Sequence, residues 1–216
     1  VATHDEHHER AEHQEVSQQR LRCFIAVTVG QGIKAPLAEA VAELQAVARA
    51  DRLRLSWARP GGWHVTLKFL GDLTTDQVER IRGLLPAAVT ANPALSVAAR
   101  GLFTLPQRGA PRILAVGFEE TRELGALASS VETVLTPLGF AREERAFVSH
   151  MTVARLRDPK ASFRKGCWVR FGALVAAMRE RGFGQDRIDT VGLYRSHLGP
   201  AGSTYERIAD FPLASG

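Results

Sequence analysis

The chain holds only two cysteines, Cys23 and Cys167, in 216 residues. That is too few for a disulfide framework or a thiolate zinc site, and it fits a reducing compartment. No apolar run approaches the roughly eighteen residues that a membrane span requires. The polar N-terminus also lacks the pattern of a signal peptide. No membrane association and a cytoplasmic location are the expectations. Motifs for common chemistries are missing too: no Walker sequence, no Ser nucleophile elbow, no zinc-spaced Cys/His set. What is present is an ordinary globular composition, 45% hydrophobic and 24% charged, long enough for one sizeable domain or two lobes sharing a core.

The formal charge of +5 is uneven. Residues 1–20 carry two arginines against five acids, a balance of −3, which leaves the rest at +8. A basic body suits a polyanionic partner such as nucleic acid. The first twenty residues include His4, His7, His8 and His13 but almost nothing apolar. A metal-capturing tract would need fixed geometry, so a disordered leader is expected there.

Ordered structure is expected from Leu21. Residues 21–29 (LRCFIAVTV) read as a buried strand, and Leu37, Val41, Leu44 and Ala48 recur at helical spacing over 34–50. A short strand at 53–57 precedes a Pro-Gly-Gly turn and the strand 63–70, WHVTLKFL. Alternation there places Trp63, Val65, Leu67 and Phe69 on a core face and His64, Thr66 and Lys68 on the other. Thr74 with Gln77 forms a capping-box pattern ahead of a helix carrying Val78, Ile81 and Leu85. Strands follow near 95–103 and 112–118, a helix over 121–137, and a strand over 147–156. Segment 160–184 reads as a mobile insert with a helical stretch at 171–181, and strands near 187–195 and 204–210 close the chain.

The chemistry lies in a repeated pattern. WHVTLKFL (63–70) and SHMTVARL (149–156) share His, an apolar residue, Thr, an apolar residue and a final Leu, and the histidines are 86 positions apart. Only three histidines lie beyond residue 20, and two of them are in this pattern. Residues two apart on a strand point the same way, so each His-x-Thr aims an imidazole and a hydroxyl at one place. Two such strands side by side offer a base, an acid and two hydrogen-bonding hydroxyls around a small anion. That set suits in-line phosphoryl transfer. Spacing alone does not say which imidazole is acid and which is base.

These motifs resemble those of the two-histidine (2H) phosphoesterases, specifically the LigT type of bacterial RNA 2′,3′-cyclic phosphodiesterases, also called 2′-5′ RNA ligase-like proteins. The likeness spans residues 21–213. It rests on RCFIAV, LSWARPGGWHVTLKFLGDL, GLFTLPQRGAPRILAVGF, LGFAREERAFVSHMTVARL and VGLYRSHLGPAGSTYERIADFPL. Ser149 departs from the proline usual in the family, as do segment 160–184 and the His-rich leader. The resemblance implies a bilobal α+β fold forming one domain over 21–213, its two pseudo-twofold lobes presenting antiparallel sheets to a central cleft with helices outside. It implies metal-independent, cofactor-free hydrolysis of a terminal 2′,3′-cyclic phosphate on RNA to a 2′-phosphate. By the same likeness His64 is the proton donor, His150 the proton acceptor, and Thr66 and Thr152 bind the phosphate. Arg112, Arg155 and Arg195 are candidate substrate contacts, RNA with cyclic phosphate ends is the expected partner, and a monomer is expected.

Two other functions fit the same residues: 2′-5′ RNA ligation, the reverse chemistry, and a noncatalytic nucleotide- or RNA-binding module. Both imidazoles are present, which favours catalysis. Gly30-Gln31-Gly32-Ile33-Lys34-Ala35 matches a dinucleotide-binding fingerprint, but Asp51 precedes the next strand rather than ending it. His197 reads as an incidental loop histidine, and Trp57 and Trp63 as core.

Overall fold

Two halves of the chain build similar units, each a strand, a helix and a His-x-Thr strand. A computed structural model describes residues 20–157, 168–199 and 202–214. The first half comprises β1 (Leu21–Thr28), α1 (Gln31–Ala50), β2 (Leu55–Trp57), β3 (His64–Leu73) and α2 (Thr75–Val89). After β4 (Leu95–Leu105), the second half comprises β5 (Ile113–Phe118), α3 (Thr121–Leu135), β6 (His150–Leu156) and α4 (Trp168–Ala177). The chain closes with β7 (Gly182–Ile188), β8 (Thr190–Gly199) and β9 (Gly202–Pro212).

The strands form one antiparallel sheet in the order β7-β4-β5-β6-β3-β1-β8-β9, with β2 added alongside β6. A pseudo-twofold between β6 and β3 exchanges β5 with β1, β4 with β8 and β7 with β9. β3 and β6, the central strands of the two lobes, meet through a single register pair, Val65 opposite Met151. Both residues are fully buried. All four described helices contribute apolar side chains to the same core as Val65, Leu67, Met151 and Val153. The helices therefore cover one face of the sheet, and the other face is left for chemistry. α2 packs against α3 and α1 against α4, so the helix layer follows the same pseudo-symmetry.

Several expectations are met at the level of single residues. Thr74 accepts from the Gln77 amide and Gln77 reaches back to the Thr74 amide, the reciprocal bonds of a capping box. Trp63 is fully buried and its indole donates to the Ala58 carbonyl. The fingerprint glycines open α1, but β1 pairs only antiparallel, with β3 and β8, so no parallel β-α-β unit exists there. Their role is close packing: a Cβ on Gly32 would fall 2.3 Å from the Gln185 carbonyl on β7.

Other expectations shift. α1 begins three residues early, at Gln31, and α4 spans Trp168–Ala177 rather than 171–181. β6 starts at His150, not Phe147. The strand expected at 187–195 is two strands, and β7 reaches back into the stretch expected to be an insert. Except for Arg20, the expected leader lies outside the described residues, as do residues 160–167 of the expected insert.

Candidate active site

Val65 and Met151 turn together into the core, so the residues flanking each turn together out of the opposite face. His64 and Thr66 on β3 thus stand beside His150 and Thr152 on β6, around the line where the lobes join. The four motif residues are brought together. The strands behind them keep the floor low: Ala26 pairs with Thr66, Ala115 with Thr152 and Gly117 with His150.

Each imidazole is held in the same way. His64 Nδ1 lies 2.8 Å from the Gly62 carbonyl and His150 Nδ1 lies 2.7 Å from the Val148 carbonyl. A carbonyl only accepts, so Nδ1 carries the hydrogen in both rings. Nε2 is then free to accept a proton or, once protonated, to donate one. The sequence signal for this pairing is the equal offset, two residues from carbonyl to ring.

The surroundings of the two rings differ. His64 packs against Phe24 at 4.8 Å between ring centroids and edge-on against Tyr205 at 4.9 Å. Gly62 permits this approach, since a Cβ there would lie 3.3 Å from the Tyr205 ring. Phe24 also stacks on Tyr194, so an aromatic wall lines the His64 side. Burial pushes the His64 imidazole below its ordinary range; the bond to Gly62 opposes this, and the nearby charges of Arg155 and His150 add to it. Positive charge at His64 is therefore disfavoured until an anion arrives.

A bulge in each motif strand places one more residue in the cleft. Ala26 pairs with Thr66 and Ile25 with Lys68, which makes Leu67 the extra residue. Ala115 pairs with Thr152 and Leu114 with Ala154, which makes Val153 its counterpart. The bulges reverse the alternation, so the fifth residue after each histidine returns to the cleft face. These residues are Phe69, 62% exposed, and Arg155, also exposed. Strict alternation puts Phe69 in the core and Lys68 on the cleft face, and the structure corrects both. Lys68 lies in the core, bonded to Glu132 at 2.6 Å and to the Ala141 carbonyl at 2.7 Å. Phe69 is the site residue that simple alternation misses.

The other two arginines are not brought to the histidines. Arg195 pairs with Cys23, a core-facing residue, while Tyr194 next to it joins the aromatic wall. Arg195 therefore lies on the opposite face of the sheet, 4.0 Å from Glu206. His197 shares that face, with Nε2 2.8 Å from Glu206. Arg112 is exposed at the head of β5, and its carbonyl accepts from the Leu156 amide, which aligns it with a core-facing position. Buried Cys23 has its thiol pushed up to about 11, mainly by burial, and stays protonated at neutral pH. Among the described residues no three His, Cys, Asp or Glu side chains converge as a metal site would require. No described helix is long and apolar enough to cross a membrane.

Comparison with known proteins points to one family. Residues 32–115 match the family model of LigT like phosphoesterases. An RNA 2′,3′-cyclic phosphodiesterase of Archaeoglobus fulgidus is 30% identical over 191 residues, 88% of this chain and 99% of that protein. Its namesake in Methanothermobacter thermautotrophicus is 26% identical, over 90% of this chain and all of that protein. In fold, a protein of Thermus thermophilus aligns with a TM-score of 0.70 at 24% identity, over 90% of this chain and 99% of that one. Escherichia coli LigT, crystallised with 3′-AMP, aligns at 0.68 and 18% identity, over 90% of this chain and 98% of that one. With a matching fold, full-length relatives and paired His-x-Thr strands at one cleft, the chain belongs to the LigT-like phosphoesterases of the two-histidine superfamily and is an enzyme of the phosphodiesterase kind.

Proposed function

We propose that this protein hydrolyses the terminal 2′,3′-cyclic phosphate of RNA to a 2′-phosphate, with His150 as proton acceptor and His64 as proton donor. The observation that carries the reading is the matched pair of imidazoles, each fixed through Nδ1–H to a carbonyl two residues earlier. The names of the full-length relatives support the substrate. Water attacks phosphorus as His150 Nε2 takes its proton. The P–O3′ bond breaks as His64 Nε2 gives a proton to O3′, leaving a 3′-hydroxyl and a 2′-phosphate. Thr66 and Thr152 donate to the non-bridging oxygens, and Arg155 balances their charge. These side chains perform the proton transfers and charge stabilisation without a metal.

The unequal surroundings support the assignment. The aromatic wall and exposed Phe69 offer flat apolar surface on the His64 side, suited to the nucleoside that carries O3′. His150 adjoins the exposed Val148, where water has access. Burial keeps His64 neutral in the free protein, and an anionic phosphate beside it restores the proton it must donate. Because one His-x-Thr comes from each half, the working unit is the whole body, residues 21–213. The test is a short RNA ending in 2′,3′-cyclic phosphate. Conversion to a 2′-phosphate end supports the reading; a 3′-phosphate product, or no turnover, refutes it.

A further inference from the structure

Beyond the histidines, the cleft face of β6 continues into a short row of arginines. Arg155 pairs with Ser56 on β2, and one step further the Arg157 amide donates to the Arg54 carbonyl at 2.9 Å. Leu55 and Leu156, between these pairs, turn towards the core. Arg54 and Arg157 therefore share the cleft face with Arg155, and all three are exposed. None of them forms an ion pair with a carboxylate among the described residues. Directly opposed like charges on neighbouring strands are destabilising. The carboxylates that neutralise arginines elsewhere, as Glu119 does for Arg100 and Asp51 for Arg170, are not used here. Arg155 and Arg157 are two residues apart, about 7 Å along a strand.

We propose that Arg54 and Arg157 form a subsite for a backbone phosphate of single-stranded RNA, the one that precedes the terminal nucleotide on the 5′ side. This rests on the proposed function above and extends it from a cyclic phosphate group to a strand of several nucleotides. β6 runs from His150 towards Arg157, so a strand leaving the histidines along β6 passes Arg155 and meets the opposed pair. Phe69 lies the other way along antiparallel β3, which separates the base surface from the backbone track. The pair has no role in proton transfer, so it governs binding of long substrates rather than chemistry.

The test compares the wild type with Arg54→Gln/Arg157→Gln on a five-nucleotide RNA ending in 2′,3′-cyclic phosphate and on a 2′,3′-cyclic mononucleotide. The double variant should lose about tenfold in kcat/KM on the pentamer through KM, with mononucleotide turnover unchanged. The salt dependence of pentamer binding should become shallower by about 0.7 in logarithmic slope for each phosphate no longer neutralised. Equal losses on both substrates, or none on the pentamer, would overturn the subsite. So would a defect confined to a separate 5′-hydroxyl RNA supplied as acceptor, because the track would then serve an incoming strand. Fluorescence anisotropy with a labelled pentamer ending in a 2′-phosphate keeps the two proposals apart. If the protein turns over neither substrate yet binds the pentamer more tightly than the double variant does, the hydrolytic reading fails and the subsite stands.

Discussion

Lys68→Met tests how the first motif strand supports the second. Lys68 leaves β3 on the core face, only 4% exposed, and meets Glu132 on α3 at 2.6 Å and the Ala141 carbonyl at 2.7 Å. The Glu143 amide donates to the same Glu132 oxygen at 3.0 Å. One ammonium thus ties the first lobe to the segment that runs, without regular structure, from Ala141 to Ser149, just ahead of His150. Removing one member of a buried pair costs about 3–5 kcal/mol, because the other charge stays buried without its partner. Glu132 is 15% exposed, so water recovers part of that, and about 3 kcal/mol is expected. For a chain of this size that is a fall in Tm of about 6–12 °C. The assay is calorimetric melting of the wild type, Lys68→Met, Glu132→Leu and the double variant. The double variant should regain most of the loss, since replacing both charges with apolar groups is often nearly neutral. A fall below about 2 °C for Lys68→Met, or strictly additive losses in the double variant, would refute the coupling.

Three further outcomes follow from the site. The lowered His64 pKa means that the folded protein binds fewer protons than the unfolded chain below about pH 6.5. That stability is intact above pH 6.5 and is lost as pH falls through the lowered folded value. Melting between pH 7.5 and 5 should show a larger acid-side loss for wild type than for His64→Gln, and equal losses would contradict the burial argument. Arg155→Gln should reduce kcat/KM by at least about tenfold, whereas Arg195→Gln should change it less than twofold, since Arg195 lies on the far face. The reverse ranking would put Arg195, rather than Arg155, beside the phosphate. Turnover should survive EDTA, and strong inhibition reversed by a divalent metal would show that the imidazoles do not suffice.

The pairing of the motifs was legible because His-x-Thr occurs twice and the strand period is two, which is enough to place His64, Thr66, His150 and Thr152 on one face. The reversal beyond Thr66 was not legible. Whether Leu67 or its neighbour is the extra residue depends on how β1 lies beside β3, and a one-residue bulge exchanges Lys68 and Phe69 between faces. β7 was hidden for a related reason. Its sequence, GFGQDRI, buries only Phe183 and Ile188, so an edge strand resembles a polar loop. Arg195 stands in the LYRS segment of the family likeness, but adjacent strand residues face opposite ways, and only pairing with Cys23 shows which way each one turns.

The most direct test of the two-histidine account varies the leaving group. His64→Ala and His150→Ala are assayed on RNA ending in 2′,3′-cyclic phosphate and on a phosphodiester with an activated aryl leaving group. Loss of the proton donor matters when an alkoxide leaves and much less when an aryloxide does. His64→Ala should therefore fall by about a hundredfold or more on the RNA but far less on the aryl ester, whereas His150→Ala should be crippled on both. Rescue of His150→Ala instead would exchange the roles. Equal losses on both substrates for both variants would contradict acid–base catalysis by the pair.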